Sequence, residues 1–148
     1  MREMVVRKME MKDTQKVYQL SRESFSEPWA LAAIEKEMTN PVASYFVAEM
    51  DGEVIGFGGM WHVLDEGEII NIAVQKSYHR QGIGKLILNQ LIAEARKREL
   101  VAIHLEVRAS NEAAKRLYLK HGFNSIARRK GYYHNPTEDA VIMTCELK

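Results

Sequence analysis

Residues 68–107 change hydrophobic period twice, and this constrains the fold more than any other part of the chain. Glu68–Val74, EIINIAV, is a β-rich run. A glycine-containing turn follows. From about Gly82 to Arg98, the apolar residues Ile83, Leu86, Ile87, Leu91, Ile92 and Ala95 then recur at helical spacing. Ala102–Val107 returns to the alternation of a strand. A chain that must bury both periods builds its core from a sheet with helices laid on it.

The rest of the chain extends that pattern. Val5–Met9 predicts a first strand. Asp13 stands where an N-cap belongs, and Val17, Leu20 and Ser24 continue at helical spacing to Phe25. Pro28 suits the start of a second helix through Trp29, Ile34 and Met38, and Asn40-Pro41 ends it. Ser44–Met50 and Val54–His62 are two strands joined by Asp51-Gly52, a strong hairpin signal. Asn111 is a natural N-cap for a helix carrying Ala114, Leu117, Tyr118 and His121 on one side, closed by Gly122. Phe123–Ala127 and Ala140–Leu147 predict the last strands, and the polar stretch 128–139, RRKGYYHNPTED, predicts a loop between them. The order βααβββαβαββ reads as α+β or α/β with one mainly antiparallel sheet. A length of 148 residues predicts one domain, 1–148, with about two thirds of its unfolded surface buried.

Composition removes several functions. Lys plus Arg is 21 and Asp plus Glu is 20, so the net charge is +1 and there is no basic excess for nucleic acid. One cysteine, Cys145, excludes an internal disulfide and a Cys-based zinc site, and its place in the last apolar run reads as core. The eight methionines read mostly as core filler. No apolar run is long enough to span a membrane, and the first residues lack a signal-peptide core. The expectation is a cytoplasmic protein that contacts neither membrane nor nucleic acid directly.

Two segments carry chemistry. HRQGIGK, residues 79–85, joins a strand to the long helix. Gly82 and Gly84 let the backbone approach a ligand closely. The first turn of the helix offers unpaired N–H donors and partial positive charge, which suits a pyrophosphate, with Arg80 and Lys85 on the flank. The turn is neither a Walker A loop nor the GxGxxG dinucleotide fingerprint. Taken alone it is equally a tight strand-to-helix connection. The second segment is LEVRASNEAAKRLYLKHGF, residues 105–123. Ile103, Leu105 and Val107 share one face of a strand, and His104, Glu106 and Arg108 share the other. Tyr118 lies about two helical turns beyond Asn111. A carboxylate, an amide and a phenol thus come from one β-α unit. The alternative is that Glu106 pairs with Arg108 or His104 on a solvated face, and that Tyr118 is an ordinary half-buried aromatic.

The chain resembles the GCN5-related N-acetyltransferase (GNAT) superfamily, and within it the bacterial ribosomal-protein alanine N-acetyltransferases. The resemblance rests on PW at 28–29, NIAV at 71–74, HRQGIGK at 79–85, LEVRASNEAAKRLY at 105–118, HGF at 121–123 and GYYHNPTEDAVIM at 131–143. It covers nearly the whole chain. The turn alone marks the superfamily. The LEVRASN and GYY…ED strings point to the branch that acetylates protein N-termini. One position departs from the family pattern: the turn usually opens with Gln or Arg, and here it opens with His79.

The resemblance implies a GNAT fold: α+β in three layers, a mixed, mainly antiparallel sheet of about seven strands flanked by four helices. It implies acetyl-CoA as donor, bound in a V-shaped gap between the fourth and fifth strands. Ile72, Ala73 and Val74 would pair with the pantetheine arm, the Val74 amide polarising the thioester carbonyl. Arg80, Gln81, Gly82, Ile83, Gly84 and Lys85 would cradle the pyrophosphate, and Asn111 would touch the cofactor. Glu106 matches the general base and Tyr118 the general acid, for direct attack by an amine in a ternary complex without an acyl-enzyme. Phe25, Trp29, Tyr132 and Tyr133 are the candidates for holding the acceptor, the N-terminus of a protein such as a ribosomal protein. Arg128-Arg129-Lys130 reads as a solvated strand end or as an attraction for an acidic partner. The competing functions are acetylation of a small amine such as a polyamine or antibiotic, a non-catalytic acyl-CoA-binding module, and a basic RNA-binding protein. Retention of Glu106 and Tyr118, the GYY…ED string and the +1 charge stand against them.

Overall fold

A computed structural model describes residues 3–148. Its strands are β1 (Met4–Lys8), β2 (Ala43–Met50), β3 (Glu53–Val63), β4 (Glu66–Val74), β5 (Ala102–Arg108), β6 (Phe123–Tyr133) and β7 (Glu138–Glu146). Its α-helices are α1 (Thr14–Ser24), α2 (Leu31–Glu37), α3 (Ile83–Lys97) and α4 (Glu112–Lys120). The strands form one sheet in the order β1-β2-β3-β4-β5-β7-β6. Only β4 and β5 are parallel, joined by the α3 crossover. The α+β, three-layer arrangement expected from the sequence is present.

Each face of the sheet has its own core. Val17, Leu20 and Ile34 from α1 and α2 pack on Tyr45, Val47, Phe57 and Ala73. On the other face Ile83, Ile87, Leu88, Leu91 and Ala95 of α3 pack with Ile55, Met60, Ile103, Leu105 and Phe123, and Tyr118 joins them from α4. The helical spacing of α3 is therefore the stripe that covers the centre of the sheet. It lies close: a Cβ placed on Gly58 of β3 would stand 2.6 Å from Ile87 Cγ2 and 3.2 Å from a Leu91 methyl.

Three local expectations need correction. The helix α2 begins at Leu31 behind Ala30, not at Pro28, so Trp29 lies in the connection between α1 and α2. Asp13 precedes α1, but its carboxylate does not cap it. That carboxylate accepts two bonds from Arg7, at 2.8 and 2.9 Å, and one from the Glu10 N–H. Arg7 also donates to Glu49, so a single guanidinium ties β1 to β2 and to the start of α1, and holds the buried Asp13 carboxyl below the usual carboxylate range.

The third correction concerns 128–133, expected as loop and found as strand. β6 runs to Tyr133 through a bulge: Arg129 faces Ala140 and Tyr133 faces Glu138, leaving Lys130, Gly131 and Tyr132 opposite Asp139. Gly131 has φ 64°, and its N–H is accepted by the Asp139 side chain at 2.9 Å instead of by the ladder. A glycine that makes a bulge carries the same signal as one that makes a turn. No helix among the described residues is long and apolar enough to cross a membrane.

The contact between β3 and α3 predicts the effect of Gly58→Ala. Ile87 and Leu91 are fully enclosed and cannot retreat, so the added methyl should lower unfolding free energy by about 1–3 kcal/mol. Urea denaturation of the purified variant measures it, and an unchanged midpoint would show that α3 can lift from the sheet.

Candidate active site

β4 and β5 pair over only three positions, Glu66 with Ala102, Gly67 with Ile103 and Glu68 with His104. Beyond these, β4 follows β3 as far as Val74 and β5 follows β7 as far as Arg108. A bulge at Ile70 bends β4: Met60 faces Ile69, and the next residue, Gly59, faces Asn71. The two strands thus diverge, and the facing edges of 69–74 and 105–108 have no ladder partner. This is the V-shaped gap expected between the fourth and fifth strands. Unpaired main-chain donors and acceptors along such a gap can pair with an extended, amide-bearing ligand.

The turn before α3 stands at the end of β4. Arg80 and Gly82 both have positive φ, 65° and 78°. Glycine fits the second of these without strain. Gly82 is the N-cap of α3 with no side chain to occupy the first-turn donors, and the first helical bond is Leu86 N–H to Gly82 O. The N–H groups of Ile83, Gly84 and Lys85 therefore remain for an anion. A Cβ on Gly84 would meet only Leu117 at 3.7 Å and Val74 at 4.0 Å, so the protein's own packing does not demand glycine there. His79, the departure from the family pattern, has a structural partner: its Nε2 lies 2.8 Å from the Val74 carbonyl oxygen and ties the turn to the end of β4.

Glu106 and Tyr118 flank the gap from opposite faces of the sheet. Leu105 and Val107 enter the α3 side of the core, so Glu106 points to the α1–α2 side. Neither neighbour on its strand takes its carboxylate. His104 bonds Thr144 Oγ1 at 2.8 Å and the Glu66 carboxylate, and Arg108 is committed to the β6–β7 turn. Glu106 instead faces the Tyr132 phenol, and hydrogen bonding to this carboxylate is the main cause that raises the phenol's pKa. Tyr118 comes from the α3–α4 side, 9% exposed, with its ring 5.6 Å from that of Phe123. Burial pushes its phenol up to about 12. Asn111 is the N-cap of α4 as expected, its Oδ1 accepting the Ala114 N–H at 3.1 Å.

The residues expected to hold the acceptor stand on the α1–α2 connection and the β6–β7 hairpin. Tyr132 and Tyr133 meet edge to face, ring centroids 5.0 Å apart. Burial raises Tyr133 to about 12, aided by the Glu106 charge. Trp29 stacks obliquely on Trp61 at 6.0 Å, and Phe25 packs against the α1–α2 core. Trp61 is held by an unexpected group, the buried Glu37 carboxylate, which accepts from Trp61 Nε1 at 2.6 Å, Tyr45 Oη at 2.7 Å and Asn40 Nδ2 at 2.9 Å. A small hollow between Trp29, Glu37, Tyr45 and Asn71 contains Asn71 Oδ1, which is buried without a hydrogen-bond partner. Cys145 lies in the core, its thiol pushed up by burial.

Comparison with known proteins gives a consistent result. The profile of the acetyltransferase (GNAT) family matches residues 14–123. A Bacillus subtilis relative is 37% identical over 139 residues, 93% of this chain and 92% of its own. A Haemophilus influenzae protein named [ribosomal protein bS18]-alanine N-acetyltransferase is 33% identical over 146 residues, 97% of this chain and 99% of its own. The crystal structure of the ribosomal-protein-S18-alanine N-acetyltransferase from Escherichia coli superimposes with a TM-score of 0.91 at 33% identity, covering 99% of this chain and 95% of that one.

The burial of Tyr118 has a direct optical consequence. Its phenol stays protonated until about pH 12. Spectrophotometric titration of wild type and Tyr118→Phe should therefore superimpose below about pH 11, where an ordinary tyrosine has already ionised. A phenolate missing from the variant at lower pH would place Tyr118 in water.

Proposed function

The chain belongs to the acetyltransferase (GNAT) family, and we propose that it moves the acetyl group of acetyl-CoA to the α-amine of a protein N-terminus, the N-terminal alanine of a small-subunit ribosomal protein. The observation that carries this reading is the gap between β4 and β5, with a carboxylate on one face and a phenol on the other. The names of the relatives support the substrate, and a ribosomal-protein substrate supports a cytoplasmic reaction.

In this proposal acetyl-CoA enters as a substrate, and the residues present fit it. The unpaired edge Ile72–Val74 offers main-chain groups to the amides of the pantetheine arm, and the Val74 N–H meets the thioester oxygen where negative charge develops. Arg80, Gln81, Gly82, Ile83, Gly84 and Lys85 take the pyrophosphate on first-turn N–H groups, with no protein side chain over Gly82. Asn111, already capping α4 through Oδ1, would touch the cofactor. Tyr132, Tyr133, Phe25 and Trp29 hold the peptide on the Glu106 side.

The acceptor must attack as a neutral amine. An α-amine, with a pKa of about 7.7–8.0, is neutral to roughly a tenth near pH 7, whereas a lysine side chain at about 10.4 is neutral only to a few parts in ten thousand. Glu106 removes the proton that the amine sheds on attack. Tyr118 is the donor on the other face. A phenol at about 12 stays protonated at every working pH, so it always has a hydrogen to offer the leaving sulfur. Full transfer to an ordinary thiolate, with a pKa near 8.5, is uphill. The same burial disfavours the thiolate, which narrows that difference.

The test is acetylation of an alanine-starting peptide, of the same peptide with a blocked N-terminus and an internal lysine, and of spermidine. Mass spectrometry should find the acetyl group on the free N-terminus alone. Glu106→Gln and Tyr118→Phe should each lower kcat by about 10²–10⁴ while the melting transition stays in place. Preference for spermidine, or full turnover in both variants, would overturn the assignment.

A further inference from the structure

Arg108 is the group that the reaction leaves unexplained. It follows Glu106 on the same face of β5, and its guanidinium reaches both walls of the acceptor slot. Nη1 donates to the Pro136 carbonyl at 2.9 Å and to Glu138 Oε1 at 3.3 Å. Nη2 donates to the His134 carbonyl at 2.9 Å and to Ser26 Oγ at 3.0 Å. The guanidinium carbon stands 4.5 Å from the centroid of the Tyr133 ring. Ser26 belongs to the α1–α2 connection, whereas His134 and Pro136 belong to the turn between β6 and β7. Among the described residues, the hydrogen bonds between these two walls all pass through Ser26, which also donates to the His134 carbonyl at 3.4 Å.

We propose that Arg108 is a positioning residue that locks the α1–α2 connection to the β6–β7 hairpin and thereby forms the slot that receives the peptide. This rests on the reading of that slot as the acceptor site. A planar guanidinium with five N–H donors can span a hydroxyl, two carbonyls and a carboxylate at once, and a lysine ammonium cannot. The charge is also dealt with. A bare cation beside Glu106 would repel an incoming ammonium group. Here Glu138 pairs with Arg108, and its own carboxyl is held below the usual carboxylate range by Ser110 first and by Arg108 as well. The Tyr133 ring faces the guanidinium, so the tyrosine is placed by the same group that ties the walls. Loops that would otherwise move independently become one rigid rim.

The experiment compares wild type, Arg108→Lys, Ser26→Ala and the double variant with the alanine-starting peptide and acetyl-CoA. Hydrogen exchange is followed over 25–29 and 134–137. Arg108→Lys should raise the peptide KM by about tenfold or more, with the KM for acetyl-CoA within about twofold, because only the acceptor side loses its tie. Exchange in both segments should quicken together. Ser26→Ala should show a smaller rise in peptide KM, and the double variant should lose less than the product of the two, since they share one contact. An unchanged peptide KM, an equal loss on acetyl-CoA, or exchange that quickens in one wall alone would overturn the proposal. If Arg108→Lys does not fold, Ser26→Ala decides by the same readings. If wild type leaves the peptide unmodified, it is the acceptor assignment that fails, and the exchange data still judge the tie between the walls.

Discussion

The parting of β4 from β5 is the feature on which the rest of the molecule depends. A parallel pair gains its stability from an evenly spaced ladder, and here the ladder stops after three positions. Each strand is held on its other side, β4 by β3 and β5 by β7, so neither can close the gap. The bulge at Ile70 turns β4 away, and α3, packed tightly over β3, fixes the direction in which it leaves. An open stretch of backbone inside a sheet is expensive unless something supplies its partners. In the proposed reaction the donor substrate is that partner, and its binding would complete the sheet.

The gap also explains why the two proposed catalytic groups need no contact with each other. A strand alternates its side chains, so Glu106 and its neighbours Leu105 and Val107 must face opposite ways. Tyr118 follows the apolar side into the core, where burial keeps the phenol protonated. Glu106 follows the polar side, among tyrosines and within reach of water. In the proposed reaction the amine loses its proton on one face, and the sulfur leaves on the other.

Much of this was legible in the sequence, for identifiable reasons. The core of α3, the Asp51-Gly52 hairpin, the Asn111 cap and the parity of Glu106 are local periodicities that backbone geometry enforces. Pro28 carries a helix-start signal three residues before the observed start of α2. Residues 128–133 look like loop in sequence because Gly131 serves a bulge whose N–H is satisfied by Asp139, a partner that adjacency does not reveal. Arg108 reads from sequence only as a candidate partner of Glu106, and Glu37 carries no signal. The partners of Arg108 are distant in sequence and two of them are main-chain carbonyls, which have no signature in any residue type, and Glu37 gathers Asn40, Tyr45 and Trp61 from three segments. His79 was visible only as a departure, and its bond to the Val74 carbonyl gives it a place.

Most of the string GYYHNPTED is tied into one hydrogen-bonded unit around the slot. Gly131 permits the bulge, and Asp139 satisfies its N–H, which turns Tyr132 toward Glu106. Glu138 holds the Ser110 N–H and neutralises Arg108. Arg108 in turn holds the carbonyls of the turn and the hydroxyl of Ser26. The two acidic residues are therefore not there to attract a basic substrate. They are used within the protein, one by a bulge and one by an arginine. In the proposed reaction Glu106 is the carboxylate that meets the acceptor. Discrimination for an α-amine then needs no dedicated charge. The amine's own pKa supplies the neutral fraction, and the rim supplies the geometry.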